Sequence, residues 1–136
     1  MQEEVKMTGL DTGFFVELLR GNPKAITVWK AIVDGTEDAS TSCLTIFELK
    51  RLALKGTLKT DEVETAVQAI FAVGKVAWID STDVCERASR LSHGLGIPAI
   101  DALILAGLLD SGAQEIYTTD SHFVTYKKDG LAIRRL

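Results

Sequence analysis

Of the 19 acidic residues in this 136-residue chain, four stand where water should be scarce. Asp11 follows an apolar, strand-like stretch and precedes Phe14-Phe15. Glu48 lies inside the otherwise apolar turn Leu44–Leu49. Asp101 is embedded in Pro98–Leu105, the least polar segment of the chain, and Asp120 ends the strand-like run Ile116–Asp120. Ionised carboxylates gathered in a low-dielectric cleft repel one another and raise one another's pKa values. A bound cation relieves that repulsion. A site of carboxylate oxygens without His or Cys suits Mg²⁺ or Mn²⁺, ions that activate a water, orient a phosphate and stabilise charge on a leaving oxygen.

Each acid also has a purely structural reading. Asp11 and Asp120 suit helix caps or turns, Asp101 suits the positive end of a helix, and Glu48 could pair with Arg51 or face solvent. For all four to be structural, however, four independent coincidences would have to meet at one edge of the fold.

That edge follows from the elements. Val5–Leu10 reads as a strand running into Asp11, and Phe14–Leu19 as a short helix stopped at Arg20-Gly21-Asn22. Pro23 suits the first turn of a helix that ends at Asp34-Gly35. Ser40–Leu44 is β-prone, a helix follows from Thr45 to Lys55-Gly56, and another starts at Thr60 with Asp61 and Glu62 at its positive end. Lys75–Ile79 reads as a strand, and Asp80-Ser81-Thr82 caps a helix through Leu91 that Gly94–Gly96 breaks. Pro98 opens a helix to Leu109, apolar on nearly every side and so expected to be central. Glu115–Thr118 and Leu131–Arg134 complete the strands. Strands alternating with helices specify an α/β fold with a mostly parallel sheet, whose sites form beyond the carboxyl ends of the strands. Asp11 and Asp120 terminate strands there, and Glu48 and Asp101 are expected in the first turns of helices.

Composition sets the bounds. Hydrophobic residues make up 46% and charged residues 25%, enough for one compact domain spanning residues 1–136 and too apolar for a disordered chain. Two Cys exclude a disulfide scaffold, and both are expected as buried, reduced thiols of a cytoplasmic protein. Met1–Met7 is polar, without the pattern of a signal peptide, and the longest apolar run, Ala102–Leu109, is far too short to span a bilayer. The net charge of −4 argues against general nucleic-acid binding. Setting the four candidate acids apart leaves 15 acids against 15 bases, however, a neutral remainder that can be locally basic, so the acidic balance no longer excludes RNA. The run Lys50, Arg51, Lys55 and Lys59 has no intervening acid; it reads first as a solvated helix face and second as a contact for phosphates. His93 and His122 form no recognisable acid–base pair.

Four segments taken together, Leu10–Phe14, Thr45–Leu49, Gly96–Ile104 and Tyr117–Phe123, resemble the PIN-domain family, and within it the VapC-type toxin ribonucleases. The resemblance covers essentially the whole chain in order. It implies a three-layer α/β/α fold with a short central sheet and divalent-metal-dependent cleavage of RNA. It places Asp11, Glu48, Asp101 and Asp120 on the family's acidic positions and Thr118 on a frequent Ser/Thr. Asp11 and Asp101 are then the expected direct metal ligands, Asp120 a ligand directly or through water, and Glu48 the group that orients or deprotonates the water. Gly13 departs from the Ser or Asn common in the family, and no role is carried onto it. The resemblance also implies a small antitoxin partner and a homodimer. Two rivals remain to be weighed. A phosphoacceptor domain of the response-regulator kind needs adjacent acids after the first strand and a late Lys, and neither is present. A PIN-like module that binds RNA or protein without cleaving is separable by a nuclease assay with and without EDTA.

Overall fold

A computed structural model describes residues 5–136; the first four residues of the polar amino-terminal stretch lie outside it. Its centre is a five-stranded sheet in the order β3-β2-β1-β4-β5, formed by β1 (Met7–Leu10), β2 (Asp38–Ser42), β3 (Lys75–Ala77), β4 (Glu115–Thr118) and β5 (Ala132–Arg135). Every pairing is parallel. The expected fold class is therefore met, with the sheet wholly rather than mostly parallel.

Six helices cover the two faces. On one side α1 (Thr12–Leu19), α2 (Pro23–Val33), α3 (Cys43–Leu54) and α4 (Thr60–Val73) close over Leu10, Phe14, Phe15, Leu49 and Ile70. On the other, α5 (Thr82–Leu95) packs against α6 (Ala99–Asp110) around Leu91, Ile97, Leu105, Leu108 and Ile116. α6 is the central helix that its sequence announces: Ala102 and Ile104–Leu109 are all buried. A helix apolar on all sides is stable only with neighbours on all sides.

Strand order decides where the site lies. The chain leaves β1 for β2 and β3 on one flank and returns to β4 and β5 on the other, so the connections diverge between β1 and β4. A crevice opens at the carboxyl ends of strands at such a switch point, and Asp11 and Asp120 follow the two strands that flank it.

Several expectations shift locally. β2 begins earlier, at Asp38, and α3 starts at Cys43 because the Ser42 hydroxyl accepts the Leu44 N–H at 3.1 Å and caps the helix there. Glu48 accordingly sits in the second turn of α3, not the first. α5 runs past Gly94 to Leu95 and is ended by Gly96, whose φ of +69° is the left-handed conformation in which a Cβ would be strained. β3 stops at Ala77, and β5 is displaced by one residue to Ala132–Arg135. A short 3₁₀ turn, Phe123–Thr125, was not foreseen. Cys43 is half-buried and Cys85 exposed, so the expectation of two buried thiols fails: Cys85 lies on the outer side of α5, whose inner side is Val84, Ala88 and Leu91. No helix among the described residues is long and apolar enough to cross a membrane.

Candidate active site

Asp11 is the N-cap of α1 and a cleft residue at once. Its Oδ1 accepts the Phe14 N–H at 2.8 Å, satisfying an otherwise orphaned helix donor. Its Oδ2 accepts from the Thr118 hydroxyl of β4. Capping and site membership, alternatives on sequence grounds, are here properties of one carboxylate. Only 5% of Asp11 is exposed, and burial pushes its pKa up to about 6 despite the bonds from Thr118 and Phe14.

Asp101 enters from the first turn of α6, as its sequence position implies. Burial, then the charge of Asp120 beside it, then Glu48 and Asp11 raise its pKa to about 6. Asp120 goes the other way. Burial alone would raise it, but the backbone N–H and ring of His122, both 2.8 Å from Oδ1, hold it below the ordinary carboxylate range. The environments thus split two adjoining carboxyl groups into one that retains a proton more readily and one that stays ionised. Glu48 reaches the same cleft from α3, where its Oε1 accepts the Thr12 hydroxyl at 2.5 Å.

The cleft has a volume of about 300 Å³ and is lined by Asp11, Thr12, Gly13, Glu48, Asp101, Ile104, Thr119, Asp120 and Phe123. All four acids named from the sequence are therefore brought together. Thr118, the fifth named residue, is fully buried behind the cleft and touches Asp11 rather than the cavity. Three contributors escaped the sequence reading. Thr12 orients Glu48, Thr119 forms part of the wall, and His122, recognised only as a neighbour of Asp120, is its hydrogen-bond partner. The short spacing between Asp120 and His122, typical of an Asx turn, is the one signal that could have exposed the last pair.

Gly13 also gains an explanation. A Cβ built on it would lie 1.8 Å from Thr119 Oγ1 and 2.9 Å from Thr119 Cβ. Thr119 occupies the space that a side chain at position 13 would need, so glycine is required by close approach and not by a left-handed backbone.

The donor chemistry fits a hard divalent cation. Every polar side chain lining the cleft presents oxygen, and no Lys or Arg lines it to offset the charge. Asp101 and Asp120 lie within hydrogen-bond reach of each other, so one proton or one cation can be shared between them. Those residues hold no ready-made coordination cluster of three acidic, His or Cys side chains; Asp11 and Glu48 keep oxygens engaged with Thr118 and Thr12 instead.

A parallel sheet with acids converging at its switch point defines a class of α/β proteins, and the comparisons place this chain within it. The PIN domain family matches residues 9–129, and the chain belongs to that family. Its fold is similar to that of the VapBC2 complex of Rickettsia felis bound to promoter DNA, with 13% identity, a TM-score of 0.72, and 96% of this chain and 98% of that one covered. A toxin–antitoxin complex from Klebsiella pneumoniae is 21% identical with a TM-score of 0.68, covering 92% of this chain and 95% of that one. Mycobacterium tuberculosis VapC20, described as a sarcin–ricin loop cleaving toxin, is 19% identical with a TM-score of 0.65, covering 87% and 93% respectively. No curated protein sequence matches.

Proposed function

We propose that the protein is a divalent-metal-dependent endoribonuclease acting in the cytoplasm as the toxin of a toxin–antitoxin pair. The observation that carries this reading is the convergence of Asp11, Glu48, Asp101 and Asp120 on one cleft without a basic residue in its lining. Family membership and structural neighbours that include toxin–antitoxin complexes support it, as does the M. tuberculosis neighbour, a sarcin–ricin loop cleaving toxin.

Asp11, Asp101 and Asp120 would hold Mg²⁺ or Mn²⁺, with Glu48 beside them. Such an ion supplies charge stabilisation at the phosphate and eases deprotonation of water. The chain's own groups do the rest. Thr118 and the α1 amino terminus fix both oxygens of Asp11, so it needs little reorganisation to serve. Thr12 holds Glu48 Oε1 and leaves Oε2 to orient a water and accept its proton. The water oxygen forms the new bond to phosphorus as the bond to the 3′ oxygen breaks, and that oxygen takes a proton from solvent and leaves as a hydroxyl. The products carry 5′-phosphate and 3′-hydroxyl ends because the substrate's 2′-OH is not the nucleophile.

The test is cleavage of RNA by the purified protein with Mn²⁺ and with EDTA, beside Asp101→Asn. Cleavage confined to the wild type with metal is expected, with the variant down at least about 100-fold, as loss of a group stabilising the transition state implies. RNA bound but never cleaved would leave a binding module. Copurification with a small antitoxin and a dimer by light scattering are the expected assembly states.

A further inference from the structure

A second groove of about 520 Å³ is joined to the acidic cleft by the 3₁₀ turn, whose Phe123 lines the cleft and whose Thr125 lines the groove, and its character is the opposite. It is lined by Arg87, Arg90, Leu91 and Leu95 of α5 and by Thr125, Tyr126 and Lys127 of the segment after the 3₁₀ turn. It contains three cations and no acid. None of the three forms an ion pair among the described residues, where salt bridges are confined to Lys6–Glu115, His122–Asp120 and Arg134–Glu115. Another groove with three cations, Lys24, Arg134 and Arg135, differs in that its Arg134 is paired with Glu115.

Both walls of this groove lead into the cleft. The segment carrying Tyr126 and Lys127 begins at Asp120, and its Phe123 lines the acidic cavity while being almost fully buried. The other wall, α5, ends at Leu95 and continues through Gly96–Pro98 into the first turn of α6, where Asp101 stands. Groove and cleft therefore share a frame anchored in the core.

Resting on the nuclease reading above, we infer that this groove binds the flanking single-stranded segment of an RNA substrate and guides it to the carboxylates. Arg87, Arg90 and Lys127 would contact successive phosphates, and the half-buried ring of Tyr126 offers a face on which a base stacks. A cationic track with an aromatic platform is the chemistry that holds single strands without demanding a sequence. The arrangement also resolves an electrostatic conflict: the acidic cleft repels a polyanion, so affinity must be supplied next to it.

The experiment measures binding of a fluorescein-labelled single-stranded RNA oligomer by anisotropy in EDTA, across a salt series. Arg87→Gln/Arg90→Gln should weaken binding about 10-fold at moderate salt and reduce the slope of log affinity against log salt by about 1.4, since each lost phosphate contact on a single strand removes about 0.7. Tyr126→Leu should weaken binding about 10-fold with an unchanged slope, the effect of losing one stacked base. Lys24→Gln/Lys30→Gln removes the same charge from α2, on the opposite layer, and should change neither quantity appreciably. Matching thermal melts in all variants confirm folding. An unchanged slope in the α5 variant, or an equal loss in the α2 control, would overturn the proposal. So would equal affinity for an oligoglutamate peptide, which would mean anion capture rather than RNA recognition. With Mn²⁺ added, the α5 variant should raise KM for the same oligomer. Wild type that binds RNA here but never cleaves it overturns the nuclease reading and leaves the groove. Cleavage with unaltered KM and affinity in the variants overturns the groove and leaves the nuclease.

Discussion

The hydroxyl of Thr118 joins two carboxylate-bearing segments of the candidate site: it donates to Asp11 Oδ2 and accepts the backbone N–H of Asp120 at 2.8 Å. Thr118 is fully buried, and its bond to Asp11 forms away from solvent. One oxygen thus sets the orientation of Asp11 at the end of β1 and the path of the chain after β4.

Replacing that hydroxyl should be costly. Thr118→Val conserves shape but leaves a buried acceptor on Asp11 and a donor at Asp120 unpaired, a loss of about 1–3 kcal/mol. Urea denaturation of Thr118→Val and Thr118→Ser checks it, with the Ser variant retaining most of the stability. Equal losses in the two would point to packing of the methyl group instead.

Asp101 and Asp120 should respond oppositely to amide replacement in the absence of metal. Asp101 is held with a raised pKa by burial and neighbouring charge, so Asp101→Asn relieves repulsion and should stabilise the fold in EDTA at pH 8. The gain should be on the order of 1 kcal/mol, since partial exposure screens the interaction. Asp120 is stabilised in its ionised form by His122, and Asp120→Asn should be neutral or destabilising. Chemical denaturation of both variants is decisive, and a less stable Asp101→Asn would remove the repulsive-cluster argument.

The metal-free protein should be most stable in mildly acidic solution. For Asp11 and Asp101, raised from 3.8 to about 6, the folded state binds more protons than the unfolded state between those values. Stability therefore falls as pH rises through that window, and the penalty is complete above it. Glu115 has the reverse sign. Burial alone would raise it, but hydrogen bonds from Lys6, Tyr117 and Arg134 bring it from 4.5 to about 2, so its stabilisation is lost as pH falls through that range. Melting in EDTA should peak at about pH 4–5, where both contributions are favourable. Asp101→Asn should flatten the decline toward neutral pH.

Mn²⁺ should raise the melting temperature at pH 7.5. A ligand bound only by the folded state stabilises by mass action, about 2.7 kcal/mol at 100 times its dissociation constant. The shift should shrink in Asp11→Asn and Asp101→Asn. A melting temperature indifferent to millimolar Mn²⁺ would mean that the four acids do not form a cation site.

Gly13 and Thr119 should behave as a coupled pair. Gly13→Ser places a Cβ against Thr119 and should cost about 1–3 kcal/mol, the usual range for overpacking. Thr119→Ala removes the obstructing hydroxyl and methyl group, so the double variant should recover much of that loss. Additive losses would show that the two positions are not in competition for the same space.

What the sequence determined by itself was the alternation of strands and helices, the central place of α6 and the identity of the four acids. Each is written locally: apolar periodicity dictates burial, and a carboxylate stands out where its neighbours in the chain are Leu, Ile and Phe. Glu48 shows the limit of that reading. Its place in an apolar turn was visible, but the Ser42 cap that starts α3 two residues earlier, and so puts Glu48 in the second turn, depends on a hydroxyl competing for a helix donor. The tertiary structure alone decided which groups meet across strands and layers. Thr118 finding Asp11, Thr12 finding Glu48 and Thr119 filling the space over Gly13 are contacts between residues distant in sequence or on different elements. The opposite pKa shifts of Asp101 and Asp120 have the same origin. Desolvation and the nearest charge depend on distance in space, and the packing that brings the first turn of α6 to the end of β4 is what sets that distance.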